Sequence, residues 1–270
     1  MLILISSLIN IGETNSLIEI RNLEKVNNSK RTLNEQTDNY MIIEFDQEQH
    51  YYSTQFLVNN NQYILYIMNG NETVYRDMEL YAKANTKIKI YFNQTLADLK
   101  GIFNGDDLTF YKHLISADLS HFDASSVTDM SLMFHGCSIL KTVDLSNLNT
   151  SSVTDMSFMF QDCSSLQTLN LSNFDTSSVA TMKNMFYGWS SLKYLIISNF
   201  NFDKIKKTDN IKEIFKDLIK LEYIDIYNIT DSNNTLKGEL DRLNIKANLT
   251  VCQNNSILYN RNSCLNIITE

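Results

Sequence analysis

Four cysteines carry the most distinctive chemistry in this sequence, and their positions divide them into two pairs. Cys137 and Cys163 occupy the same place in two similar segments of the chain, and Trp189 fills that place in a third. A position that accepts Cys, Cys and Trp indicates a buried apolar slot, so we expect two packed thiols there. The alternative is a disulfide between them, because equivalent residues of stacked segments lie about 5 Å apart.

Cys252 and Cys264 have a different setting, because they flank the polar segment "QNNSILYNRNS" after the similar segments have ended. We predict a disulfide between these two residues that pins a C-terminal cap, which requires an oxidising compartment. A zinc site is not indicated, since no Cys-x-x-Cys pair and no histidine partner lie nearby in the sequence.

The other groups that could do chemistry have structural interpretations. Asp129 and Asp155 recur in the phrase "SSVTDM", and stacked carboxylates suit Ca²⁺, but Thr181 stands in the third copy and interrupts such a ladder. The serines and aspartates of the phrase are explained by capping. The histidines are scattered and expected at the surface: His50, His113, His121 and His135. We therefore predict no catalytic residue, no metal site and no cofactor, and hence no enzyme.

Composition and charge restrict the classes of partner. The chain has 270 residues and a net charge of −8, with no block of basic residues, which argues against nucleic acid and anionic membranes as partners. Residues 1–16 contain the apolar run "MLILISSLINIG", which is too short to span a bilayer and is a candidate signal peptide. The alternative is a buried strand. No later stretch is long and apolar enough to predict a transmembrane segment.

A repeat dominates the middle of the chain. Residues 118–143, 144–169 and 170–195 align at a period of 26 residues, and the first two agree at 16 positions. A fourth copy at 196–224 has three extra residues, and 87–117 is a degenerate opening copy with "GIFNG" where "LMFHG" stands later. This period falls in the range of about 20 to 29 residues that is typical of leucine-rich repeats.

The apolar spacing within one repeat changes from a strand pattern to a helix pattern. Leu169 and Leu171 alternate as in a strand. Ser152 is then expected to cap a short helix, with Asp155 completing a capping box. One face of that helix is predicted to carry Val153, Met156, Phe160 and Cys163. The pattern therefore predicts an α/β leucine-rich-repeat solenoid of about five repeats over 87–229.

These repeats resemble a known family. The consensus of the repeats, "LSNFDTSSVTDM" followed by "MFxGCSSL", is similar to the BspA-like leucine-rich surface proteins of bacteria and several protists. The resemblance implies an extracellular or cell-surface protein that acts in adhesion or in binding host or matrix components, without catalysis. The fourth copy departs from the motif, since it reads "FDKIKKT" and has Leu218 at the cysteine position.

The regions on either side of the repeats are predicted to be caps. Residues 17–86 form a β-rich N-terminal cap region, with strands at 40–45, 51–58 and 62–68. Residues 230–270 form the C-terminal cap. Asn-x-Ser/Thr sequons occur along the chain and suggest a glycoprotein only weakly, because asparagine is abundant.

The strand pattern also selects a candidate binding face. Side chains between the core residues of each strand point away from the interior, and in the last two copies they include several aromatic residues: Tyr194, Ile196, Tyr223, Asp225 and Tyr227. Exposed aromatic side chains on a rigid sheet are typical of recognition surfaces. The alternative is that they contact the C-terminal segment.

Two functions are compatible with these features. We expect a secreted or cell-surface binding module for a protein or glycan ligand; the alternative is an intracellular leucine-rich-repeat scaffold that keeps all four thiols reduced. The sequence leaves the oligomeric state open.

Overall fold

The computed structural model describes residues 39–46, 49–51, 64–69, 72–74, 80–82, 84–105, 111–243 and 250–252. All of them belong to one compact unit that begins at Asn39. The candidate signal peptide at 1–16, nearly all of the predicted strand at 51–58, and most of the predicted C-terminal cap, with Cys264, lie outside the described residues.

The described chain is built mainly of short strands and turns. The strands are β1 (Tyr40–Phe45), β2 (Gln49–Tyr51), β3 (Ile64–Asn69), β4 (Glu72–Val74), β5 (Leu80–Ala82), β6 (Lys87–Phe92), β7 (Leu114–Asp118), β8 (Thr142–Asp144), β9 (Thr168–Asn170), β10 (Tyr194–Ile196), β11 (Tyr223–Asp225) and β12 (Thr250–Cys252). Two 3-10 turns cover Tyr111–His113 and Thr208–Asn210, and one α-helix, α1, covers Lys237–Arg242.

The strands form three sheets. A six-stranded sheet has the order β4-β3-β6-β1-β7-β8, a four-stranded sheet has the order β12-β11-β10-β9, and β2 pairs with β5. Strand β1, at the place of the predicted strand 40–45, lies between β6 and β7 and is antiparallel to both. The β7–β8 pair and the whole four-stranded sheet are parallel.

Parallel pairing places equivalent residues of successive repeats side by side. Leu195 of β10 pairs with Leu169 of β9 and with Ile224 of β11, and all three side chains are buried. Outside the strands, single parallel bridges join Asp129 to Asp155, and Asp155 to Thr181. Each repeat therefore stacks on the next through backbone hydrogen bonds.

The predicted helix of the repeat does not form. The backbone N–H of Phe158 donates to the carbonyl of Lys183 at 2.8 Å, and the N–H of Asp162 donates to the carbonyl of Tyr187 at 2.9 Å. In an α-helix these donors would bond four residues back within their own segment. Phe158 and Asp162 both have φ of 59°, a left-handed conformation that a right-handed helix excludes.

The prediction of an α/β leucine-rich-repeat solenoid is therefore wrong. Within the described residues the repeats contain strands, turns and two 3-10 turns, and the one α-helix follows the last repeat. The described residues form short strands joined by turns, and the strands are arranged in small sheets. The N-cap role predicted for Ser152 is also wrong, because its hydroxyl donates to the carbonyl of Ser125 at 3.0 Å in the preceding repeat.

The recurring Asp-x-Ser and Asn-x-Ser triplets build the turns. Asp155 does not cap a helix; its Oδ1 accepts the backbone N–H of Ser157 at 2.7 Å, which closes a turn of three residues. The same contact recurs at other corners of the repeats, with Asp123, Asp129, Asp144, Asn149, Asn170 and Asp175 as acceptors. The polar phrase repeats because each repeat needs the same turns.

The apolar residues predicted to face inward do so. Val153, Met156, Phe160 and Cys163 are all 0% exposed. Equivalent phenylalanines stack along the repeats, with ring centroids 5.4 Å apart for Phe134 and Phe160, and 6.4 Å for Phe160 and Phe186. The core is one continuous cluster that runs from β1 to the residues of α1.

Glu239 of α1 closes the stack at the last repeat. In earlier repeats a left-handed residue donates its N–H to a carbonyl of the next one: Phe158 to Lys183, and Asn184 to Lys212. The equivalent N–H of Glu213 donates instead to the side-chain Oε2 of Glu239 at 2.9 Å. Glu239 is buried, so its carboxylate replaces the carbonyl that a further repeat would supply.

We expect Glu239→Ala to lower the free energy of unfolding by about 1–2 kcal/mol, because the Glu213 N–H loses its acceptor. Glu239→Gln keeps an amide oxygen in that position and is expected to lose less than half as much. Urea unfolding followed by circular dichroism measures both. Equal losses for the two variants would mean that the carboxylate charge, and not an oxygen acceptor at this position, sets the contribution of Glu239.

Candidate functional site

The thiols of Cys137 and Cys163 are structural. Both are fully buried and outside any disulfide, so the predicted packed thiols are confirmed and the alternative disulfide is not formed. Cys137 Sγ donates to the carbonyl of Phe103 at 2.9 Å, and Cys163 Sγ donates to that of Phe134 at 3.2 Å. Trp189 Nε1 donates in the same way to the carbonyl of Phe160.

In these three repeats the slot therefore holds a donor as well as an apolar body, and the donor was missed from the sequence. The fourth copy has Leu218 at this position, which is buried and has no side-chain donor. The residue types at this position, Cys, Cys and Trp, could have indicated the donor, because each is a largely apolar side chain with one weak or moderate donor. Burial raises the pKa of the Cys163 thiol well above its ordinary value, and the neighbouring Cys137 adds to this. The thiol stays protonated and is not a nucleophile.

The disulfide predicted between Cys252 and Cys264 stays a prediction, because Cys264 lies outside the described residues. The repeated aspartates form turns. Among the residues that the structure describes, no group of three or more His, Cys, Asp and Glu side chains could hold a metal ion.

The five residues of the predicted binding face lie on or beside neighbouring strands. Tyr194 of β10 pairs with Tyr223 of β11, and Ile196 pairs with Asp225. Tyr227 follows β11 and is 54% exposed, while the other four side chains are half-buried. We call these five residues the tyrosine patch. Leu195, between Tyr194 and Ile196, is 0% exposed, so the side chains alternate across β10.

The tyrosine patch combines aromatic rings with carboxylates. The Tyr194 and Tyr223 rings lie 6.3 Å apart between centroids and are tilted by 43°. Glu222 Oε2 lies 3.5 Å from the Tyr194 hydroxyl, and Asp225 Oδ1 accepts the backbone N–H of Tyr227 at 2.8 Å. Burial, and then the charge of Asp225, raise the pKa of Tyr223, so this phenol stays neutral at physiological pH.

Strand β12 pairs with β11 on the side away from β10, with Tyr223 opposite Thr250 and Asp225 opposite Cys252. This pairing lies in the plane of the sheet. Among the described residues, the C-terminal segment therefore contacts β11 at its edge. The patch is carried by the two inner strands of the four-stranded sheet.

A second aromatic cluster was missed in the sequence. The ammonium of Lys89 lies 3.4 Å from the centroid of the Tyr40 ring and 4.8 Å from that of Tyr91. The His121 ring stacks on Tyr40, with centroids 4.5 Å apart. Alternation in "KIKIYF" and "YMIIEF" could have placed these residues on one face, but their contact depends on the antiparallel register of β1 and β6.

Residues 97–224, which include the stacked repeats, match the model of a family described as "Mycoplasma protein of unknown function, DUF285". No curated protein and no solved structure matches the chain.

Among the described residues, no helix has the length and apolar character needed to cross a membrane.

Proposed function

We propose that this chain is a non-catalytic binding or adhesion module, secreted or displayed at a cell surface, that recognises a protein or glycan through the tyrosine patch. The observation that carries the proposal is the concentration of three partly or fully exposed tyrosines on or directly after two neighbouring strands of a rigid sheet. Large aromatic side chains on a firm backbone lose little conformational entropy on binding and are enriched at binding hot spots.

The repeats themselves supply a reference for what the fold requires. At the position of Tyr194 and Tyr223, the earlier strand β9 has Thr168, and the register pairs these residues directly. At the place of Tyr227, two residues after each strand, earlier repeats have serines: Ser120, Ser146, Ser172 and Ser198. The stack folds with threonine and serine at these positions, so the tyrosines support a role other than packing.

The resemblance of the repeats to BspA-like surface proteins, together with the family match over 97–224, supports a location outside the cell. The alternative is an intracellular scaffold. Titration of thiols in unreduced, denatured protein separates the two, since the predicted disulfide leaves two reactive thiols and the scaffold has four. Denaturant is needed because Cys137 and Cys163 are buried.

The double variant Tyr194→Thr, Tyr227→Ser is expected to weaken partner binding at least tenfold, because each central tyrosine can contribute about 2 kcal/mol. The melting temperature should change little, since both new side chains already occur at these positions in other repeats. Binding of the labelled chain to immobilised matrix proteins and to a glycan array measures the effect. The control variant is Thr142→Ser, Ser146→Ala, at the same two positions of β8.

Unchanged binding by the tyrosine variant would show that the patch is not the site. A large drop in melting temperature would show that the two tyrosines are packing residues.

A further inference from the structure

We infer that the tyrosine patch selects a protein segment bearing lysine or arginine side chains, which contact the tyrosine rings through their cations and pair with Glu222 and Asp225. This inference rests on the proposed function of the patch, and it names the chemical class of the partner.

The first line of support is the way in which this chain treats its other surface rings. Lysine ammonium groups lie over Tyr40 at 3.4 Å and over Tyr187 at 5.1 Å, and Lys183 lies 5.9 Å from the Phe158 centroid. All are within the range of about 6 Å in which a cation is attracted to a ring face. No lysine among the described residues lies over the ring of Tyr194 or of Tyr227.

The second line of support is the charge beside these rings. Glu222 Oε2 lies 3.5 Å from the Tyr194 hydroxyl, and Asp225 is fixed by its bond to the Tyr227 backbone. Two lysines lie close in sequence, Lys193 beside Tyr194 and Lys220 two residues before Glu222. Within the described chain, no ion pair joins either lysine to Glu222 or Asp225. A cation that reached the rings would therefore meet two carboxylates.

Charge complementarity distinguishes a basic peptide from a sugar. A neutral sugar could stack on the rings and donate hydroxyl hydrogen bonds to the carboxylates, but it would form no ion pair with them, and an acidic sugar would be repelled. A net charge of −8 on the whole chain also accelerates encounter with a cationic partner at low salt. Lysine and arginine side chains combine a cation with an apolar stem that can lie along a ring.

The probes are fluorescein-labelled hexalysine and hexa-arginine, with hexa-(Nε-acetyl-lysine) as the matched uncharged peptide. Acetylation removes the charge and keeps the aliphatic stem of the lysine side chain. Fluorescence anisotropy with the full chain measures binding at low and high salt. We expect the acetylated peptide to bind at least tenfold more weakly than hexalysine, and high salt to weaken binding of both cationic peptides.

Two variants locate the binding within the patch. Asp225→Asn installs the residue that β9 already has at this position, where Asn170 Oδ1 accepts the N–H of Ser172 at 3.0 Å, so the turn is preserved. Asp225→Asn should weaken hexalysine binding about threefold. The Tyr194→Thr, Tyr227→Ser variant should weaken it about tenfold. Asp144→Asn removes the same charge at the equivalent position of β8, away from the tyrosines, and is expected to change nothing.

Equal losses for Asp144→Asn and Asp225→Asn would overturn the inference, because they would indicate general attraction to an acidic surface. If the basic peptides do not bind while a glycan binds in a manner that depends on Tyr194 and Tyr227, the inference fails and the proposed function stands. If the tyrosine variant retains all binding, both fail.

Discussion

Phe160→Ala is expected to lower the free energy of unfolding by about 3–5 kcal/mol, the largest effect of any single substitution proposed for this chain. Phe160 is 0% exposed and lies in the middle of the stacked rings. Its centroid is 5.4 Å from that of Phe134 and 5.7 Å from that of Trp189. Removing the ring leaves a cavity that the neighbouring repeats, tied together by backbone hydrogen bonds, cannot close.

Phe158→Ala is the matched control, since the same change is made two residues earlier on a half-buried side chain. The Lys183 ammonium lies over the Phe158 ring. Removing this ring should lower the free energy of unfolding by about 1 kcal/mol or less. Urea unfolding of both variants gives the comparison. A loss below about 1 kcal/mol for Phe160→Ala would contradict the inward placement of this ring.

Gly105→Ala is expected to have the second largest effect and to lower the free energy of unfolding by about 2–3 kcal/mol. The Gly105 N–H donates to the carbonyl of His135, which brings the two repeats into close contact. A Cβ atom at Gly105 would overlap the backbone carbonyl group of Gly136. Because the obstacle is backbone and not a movable side chain, one of the two repeats must shift.

Gly101→Ala is the control for this glycine. Gly101 has φ of 60°, but the nearest atom to an added Cβ would be the Asn104 Cβ at an ordinary 3.7 Å. Leu132 and Phe158 carry side chains with φ of 59° at the equivalent place. We expect Gly101→Ala to cost about 1 kcal/mol, from its left-handed conformation alone. A comparable loss for both glycines in denaturant unfolding would rule out the proposed overlap.

The period of the repeat and the identity of its core residues were determined by the sequence alone. An apolar side chain must be buried whatever path the backbone takes, so Val153, Met156, Phe160 and Cys163 could be recognised before the path was known. The outward alternation of Tyr194 and Ile196 around Leu195 was predictable for the same reason, since a strand has a period of two.

The secondary structure of the segment after each strand was decided by the tertiary structure. The core residues from Val153 to Cys163 are spaced by three, four and three residues, which suits one face of a helix. Two tight turns can bury the same four side chains. The local pattern could not separate them, because Phe158 and Asp162 bond to Lys183 and Tyr187 of the next repeat. Glycines gave a partial signal of these turns in the sequence. Gly136 and Gly188 stand at the place of Asp162, and all three residues have positive φ.

Contacts between distant segments were also beyond the sequence. The stack of Lys89 on Tyr40 depends on the register between β1 and β6, two strands that lie far apart along the chain. The closure of the last repeat depends on Glu239 reaching the N–H of Glu213. Local composition determines which side chains must be buried, but the partners of the backbone donors are chosen only when the repeats stack.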